Sequence, residues 1–163
     1  LVTNGLYPEK IKELIKKKQL PTQLYVSVNA PNKKIYDGFH RSSMKNAWEK
    51  LNETLSLLPL LKNHTRTVFR INLVRDLNMN DEMIPEYAEM IKKYLPLFVE
   101  IKGYMAVGFA RSRLGYDRMP TDIEMKTFVE KLASATGLKI LDSHEFSRAW
   151  VLGKNKDELK IKN

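Results

Sequence analysis

The stretch Thr65–Val74, TRTVFRINLV, sorts its side chains by turns: Phe69, Ile71 and Leu73 fall on one side, Arg70 and Asn72 on the other. A period of two is that of a β-strand, whose successive side chains face opposite sides of a sheet. The same sorting recurs on either side of it. Gln23–Ala30 (QLYVSVNA) opposes Leu24, Val26 and Val28 to Tyr25, Ser27 and Asn29, and Phe98–Met105 opposes Val99 and Ile101 to Glu100 and Lys102. A parallel sheet covered by helices on both faces reads as near-continuous apolar runs. Strands with one polar face therefore predict helices on the apolar face alone, and a polar face that lines a wide barrel or half-barrel. Ligands in such folds bind at the carboxyl ends of strands, where Asn29, Asn72 and Tyr104 fall. The plainer alternative is that Arg70, Glu100 and Lys102 form an internal ion-pair network and nothing more. Desolvating each ion costs several kcal/mol, roughly, so a purely stabilising role is a weak reason for such a face.

Helical spacing fills the gaps between strands. Pro8–Lys18 places Ile11, Leu14 and Ile15 on one stripe; Arg41–Leu58 does so with Met44, Ala47, Trp48, Leu51, Leu55 and Leu58. Asp81–Tyr94 reads as a helix with an irregular start, because Pro85 suits a first turn. Thr121–Thr136 opens with a capping-box pair, Thr121 and Glu124, and Gly137 signals its end. Leu138–Leu152 is one bent strand or two short ones. The expected fold class is thus α/β with a parallel sheet and helices on its outer face. The opening LVTNG reads as the end of a strand and a turn, so the chain is expected to be a piece of a longer protein. Residues 1–153 would form the barrel wall and 154–163 a frayed tail.

Composition narrows the partners. The 163 residues carry a net charge of +9, which favours an anionic partner such as nucleic acid, against the plainer reading of a solvated lysine-rich surface. Ile101–Pro120 (IKGYMAVGFARSRLGYDRMP) leads a strand out into a loop with Arg111, Arg113 and Arg118. No apolar run approaches the length of a membrane helix, so no membrane partner is expected. There is no cysteine, which excludes disulfides and thiolate metal ligation within this chain and points to a cytoplasmic setting. His40, His64 and His144 show no metal-ligand spacing, so no metal site is expected here. His40 and Arg41 would lie just after a strand, at the functional end of a βα unit; His64 reads as surface and His144 as structural. Neither a glycine-rich phosphate loop nor a nucleophile elbow is present.

The segments TNG, YVSVNAP, FHRS, RINLV and EIKGYMAVGFAR…RL…MP, in this order, resemble the archaeal 4-demethylwyosine synthases, radical S-adenosylmethionine enzymes of tRNA wyosine-base biosynthesis. The resemblance covers nearly the whole chain and is most specific in SVNAP and KGYMAVGFAR. It implies a partial triose-isomerase-type (β/α) barrel. It also implies an iron–sulfur cluster that reduces S-adenosylmethionine to a 5′-deoxyadenosyl radical. That radical would take hydrogen from the methyl of N1-methylguanosine beside the anticodon of tRNA-Phe, and two carbons from pyruvate would complete the tricyclic base. The chain departs from the family in lacking the CxxxCxxC cluster loop, and the lysine that holds pyruvate belongs upstream. The resemblance therefore implies the C-terminal half of the barrel, partnered by an N-terminal half, and inactive alone.

By position, Thr3, Asn4, Ser27, Asn29, Arg70 and Asn72 would contact S-adenosylmethionine. Lys102 and Tyr104 would be catalytic, facing the target base or pyruvate. Arg41, Arg111, Arg113 and Arg118 would hold tRNA. Two other readings stay open: a noncatalytic RNA-binding α/β module, and a barrel enzyme acting on a phosphorylated small substrate. The second would need a phosphate loop near the chain's end.

Overall fold

The structure, a computed structural model, describes residues 1–161; the last two residues of the expected tail lie outside the described residues. Strands β1 (Val2–Thr3), β2 (Gln23–Ser27), β3 (Arg66–Leu73) and β4 (Phe98–Gly103) pair in parallel, in that order. Helices α1 (Pro8–Lys16), α2 (Lys33–His40), α3 (Ala47–Ser56), α4 (Leu58–Leu61) and α5 (Ile84–Tyr94) lie on the connections between them. After β4 come α6 (Gly108–Leu114) and α7 (Asp122–Thr136), then strands β5 (Lys139–His144) and β6 (Ala149–Gly153). The sheet order is β1-β2-β3-β4-β6-β5, with β6 antiparallel to both its neighbours. The expected parallel sheet is therefore mostly parallel. β5 keeps the direction of a crossover strand, and β6 turns back to fill the gap between it and β4.

One face of the sheet is covered, as the alternation predicts. Leu24, Val26, Val28, Phe69, Ile71, Leu73, Val99, Ile101 and Leu152 are buried against Leu51, Leu55, Tyr87, Ile91, Phe128 and Leu132 of the helices. The capping box forms: Thr121 and Glu124 exchange side-chain and backbone hydrogen bonds, and Gly137 closes α7 in the left-handed conformation. The TNG turn needs its glycine. Gly5 has φ +75°, and a Cβ there would lie 2.8 Å from Leu51 Cδ1. Among the described residues no helix is long and apolar enough to cross a membrane.

Three local differences from expectation have physical reasons. The helix expected over Arg41–Leu58 begins only at Ala47, because Arg41 takes the left-handed conformation (φ 46°) that ends α2. The basic loop after β4 contains α6, a short helix that tucks Ala110 and Leu114 against buried Val74, Tyr104 and Ala106. The segment read as a frayed tail is held down as far as Lys160. Residues Lys156–Leu159 form a 3-10 turn, Leu159 packs against a cluster of Val68, Phe98 and Leu141, and Arg66 donates to the carbonyls of Leu159 (3.2 Å) and Lys160 (3.3 Å).

Candidate cofactor and tRNA face

Strand register arranges the uncovered face in rows. Beyond Gln23 and Arg66 at the amino ends of β2 and β3, the first row to cross all four strands is Tyr25, Val68, Phe98 and Gly153. It is largely apolar, and the 156–159 turn seals it. Arg66 lies 5.1 Å from the Phe98 ring centroid, as a lid on that floor. The second row is Ser27, Arg70, Glu100 and Val151. Arg70 makes a forked ion pair with Glu100 (3.1 and 3.2 Å) and stacks 4.9 Å over Tyr25. The third row, at the carboxyl ends, joins Asn29, Asn72, Lys102 and Ala149.

The ion pair and Lys102 are distinct features. Lys102 forms no ion pair among the described residues, so it does not belong to the Arg70–Glu100 pair. Of Arg70, Glu100 and Lys102, Lys102 in the third row is thus left as one uncompensated cation beside the half-buried amides of Asn29 and Asn72. That is an arrangement suited to a carboxylate or phosphate oxygen.

The third row is set by a residue with no signal in its spacing. Asn78, fully buried, accepts from Val74 N–H (2.7 Å) and donates to the carbonyls of Asn29 and Asn72 (2.8 Å each). Asn29 Oδ1 in turn accepts from Asn72 N–H at 2.9 Å. One buried amide therefore ties the ends of β2 and β3 together and leaves the Asn72 side chain half-buried with no protein partner among the described residues.

The other expected site residues divide. Ser27 sits in the second row, half-buried. Thr3 pairs in register with Val26, which puts it on the helix-covered side, and its hydroxyl accepts from Gly5 N–H. Asn4 Oδ1 accepts from Leu6 N–H, so both side chains serve the turn. Tyr104 is 4% exposed and its hydroxyl donates to the Ala110 carbonyl at 2.9 Å. Its side chain supports α6 from beneath and is not offered to the open face. Arg111 and Arg113 are exposed on α6, and Arg118 follows, half-buried; none of them forms an ion pair among the described residues. Arg41 is exposed at the end of α2.

The histidines are structural or superficial. α2 separates His40 from the preceding strand, against expectation. His40 stacks on Tyr36 (centroids 4.5 Å apart), and burial lowers its pKa. His64 is exposed, and exposed His144 caps the 3-10 turn at Glu145–Ser147.

A further arginine braces the loop after β4. Arg75 donates through Nε to Glu124 (3.0 Å), and its N–H binds the Arg118 carbonyl (3.1 Å). The Arg75 guanidinium, with the Thr121 backbone N–H, holds the Glu124 carboxyl down at about 2. A cavity of about 400 Å³ lies elsewhere, at the amino end of β4 between Lys62, Ile91, Leu95 and Leu138, away from the polar rows. The chain closes in the β5–β6 hairpin and not in a phosphate loop.

Comparison with known proteins bears on the remaining readings. Residues 93–154 match the family described as wyosine base formation. Over 150 residues, 91% of this chain, the sequence is 42% identical to the S-adenosyl-L-methionine-dependent tRNA 4-demethylwyosine synthase of Pyrococcus abyssi.

The chain is a homologue of the tRNA 4-demethylwyosine synthases.

It covers 42% of the length of that archaeal relative. Among solved structures, TYW1 with a lysine–pyruvate adduct bound superposes with TM-score 0.76 at 29% identity, over 96% of this chain and 46% of that one. An archaeal TYW1 gives 0.70 at 26% identity, over 98% of this chain and 47% of that one. A radical SAM methyltransferase from Sphaerobacter thermophilus shares the fold at TM-score 0.52 and 16% identity, over 82% of this chain and 37% of that one. The half-barrel reading of the polar face is thereby the fold of these enzymes.

Cluster ligation does not fit the described residues. The sequence has no cysteine, and no group of three or more histidines, aspartates or glutamates is placed to hold a metal ion among them. The polar rows do fit a ligand of the S-adenosylmethionine kind, with free amide, hydroxyl and ammonium groups toward the carboxyl ends of the strands.

Proposed function

We propose that this chain forms one wall of a radical S-adenosylmethionine enzyme that builds 4-demethylwyosine from N1-methylguanosine in tRNA-Phe, with carbons drawn from pyruvate. The observation that carries the reading is the free polar row of Asn72 and Lys102, at the carboxyl ends of β3 and β4, in a chain 42% identical to a tRNA 4-demethylwyosine synthase. Ser27, Asn29 and Asn72 would hold S-adenosylmethionine through its ribose and amino-acid groups. Arg70, fixed by Glu100 and Tyr25, would close the inner side of that pocket. S-adenosylmethionine, once bound, supplies the means of removing hydrogen from an unactivated methyl group. Cluster cysteines and the pyruvate lysine would come from residues outside this sequence. The TYW1 structure bearing a lysine–pyruvate adduct supports the co-substrate. Lys102 would meet the anionic group of pyruvate or the edge of the target base, and Arg41, Arg111, Arg113 and Arg118 would meet tRNA phosphates.

The test uses the full-length protein, its cluster reconstituted without oxygen, with S-adenosylmethionine, pyruvate, a reductant and tRNA-Phe carrying N1-methylguanosine. Mass spectrometry of the digested tRNA should show the tricyclic base in the wild type and at least a tenfold loss in Lys102→Met. No product from a folded, cluster-loaded wild type overturns the reading.

A further inference from the structure

Phe109 is 92% exposed, and Val107 (64%) and Tyr116 (62%) stand out beside it in sequence. All three belong to the segment that carries the chain away from the carboxyl end of β4, beyond the free row of Asn72 and Lys102. Large apolar side chains in this number are not accidents of a loose loop. Tyr104 donates to Ala110 from below, Leu114 and Met119 pack on the buried Val74–Tyr104–Ala106 cluster, and Arg75 holds the Arg118 carbonyl. The segment is pinned on its inner side and holds its aromatic rings out on the other.

Charge identifies what those rings suit. Within residues 105–118 the only acidic side chain is Asp117, against Arg111, Arg113 and Arg118. Phe109 and Arg113 are four residues apart on α6, hence on the same helix face. Arg111 reaches only the Tyr116 hydroxyl, at 3.5 Å. An exposed ring on a fixed helix, flanked by unpaired guanidinium groups, is the combination that stacks an unpaired base while holding its phosphates. An apolar protein partner would use the rings but leave the arginines without counter-charges.

We propose that Phe109 is a stacking platform for an unpaired nucleobase of the tRNA anticodon loop, with Arg113 on the adjoining phosphate. The platform would grip a neighbouring base while the target base enters the polar row. This rests on the proposed function and deepens it: it assigns recognition of the single-stranded loop to one ring, where phosphate contacts alone would not distinguish loop from helix.

The experiment measures binding of tRNA-Phe with N1-methylguanosine to the full-length, cluster-loaded protein across a salt series. Phe109→Ala should weaken binding about tenfold, the scale of one base on one aromatic ring, with the salt slope unchanged. Arg113→Gln should reduce the slope by about one contact. Phe109→Trp should keep the affinity, and the emission of the introduced indole should be quenched as tRNA binds. Affinity of Phe109→Ala within twofold of wild type overturns the platform, as does unquenched emission from Phe109→Trp. A Phe109→Ala protein that melts earlier, with the tryptophan variant already blue-shifted before tRNA is added, overturns it too, by showing the ring covered by other parts of the full chain. A wild type that makes product while Phe109→Ala equals it fails this inference alone. A wild type that neither binds tRNA nor makes product fails the proposed function beneath it.

Discussion

Arg66 and Arg70 project from the same face of β3, two pleats apart, and each lies over an aromatic ring. Their surroundings differ. Arg66 donates from both terminal nitrogens to the carbonyls of Leu159 and Lys160, keeps its Nε buried without a partner, and roofs a small apolar cluster, so its end of the face is a floor. Arg70 is neutralised by Glu100 and leaves the next row, Asn72 and Lys102, without partners. The same residue type on the same strand thus serves closure at one end and an open site at the other. The lesson is that an inward charge on a barrel wall is read by what satisfies it. The floor is largely held by backbone carbonyls of its own chain, whereas the side chains of Asn72 and Lys102 at the rim have no protein partner among the described residues.

The largest expected effect tests the knot that keeps the rim in shape. Asn78→Ala strands one buried N–H and two carbonyls, and should cost about 3 kcal/mol in chemical denaturation, at roughly 1–3 kcal/mol per orphaned group with partial rescue by water. A loss under about 1 kcal/mol would mean the rim is held by the strand ladder alone.

Next, Leu159→Ala should loosen the floor by about 1.5 kcal/mol, a half-buried leucine truncation, while product formation by the folded enzyme stays within twofold. The converse variant is Asn72→Ala. Its stability should stay within about 0.5 kcal/mol, while affinity for S-adenosylmethionine, read by calorimetry on the cluster-loaded protein, falls about tenfold. If the two variants exchange these phenotypes, floor and rim have been assigned the wrong way round.

The smallest effect is a pH limb. Folding lowers the Glu124 pKa from the usual 4.5 to about 2, first through Arg75 and then through the Thr121 backbone. The unfolded chain therefore takes up the proton first. The carboxylate's contribution is complete above about 4.5 and disappears as pH falls toward 2. Denaturation of Glu124→Gln over that window should show a flatter acid limb than wild type; an unchanged limb would detach Glu124 from the loop brace.

The strands and their two faces were legible because period two is imposed by geometry on every residue of Arg66–Leu73. The α7 boundaries were legible because Thr121, Glu124 and Gly137 each have one physical job there. α2 was not. Its eight residues, KKIYDGFH, are too few to repeat the stripe of Ile35, Tyr36 and Phe39, Gly38 interrupts them, and its cap depends on Asn32 alone. α6 escaped for the same reason: glycine, serine and arginines leave only Ala110 and Leu114 to mark an inner side. The β5–β6 turn has no glycine at its left-handed position; Arg148 takes φ 46° there, so one strand and two looked alike. The placement of Ser27, Asn29, Arg70, Asn72 and Lys102 on the uncovered face followed from alternation. Tyr104 kept the right parity but lies past the strand's end, where alternation no longer aims a side chain. Asn78 is one polar residue in the loop run LNMN, and only the carbonyls converging on it reveal its role.

The floor also has a bearing on how the wall comes into being. Val68 and Phe98 are synthesised well before Leu159, yet Leu159 and its neighbouring carbonyls cover them. On the ribosome the parallel strands can assemble with their helices while this greasy underside is still bare. It stays so until residues 156–160 have left the exit tunnel. A pause in translation just before that point would lengthen the time a growing chain spends exposed to sticking or to chaperone capture.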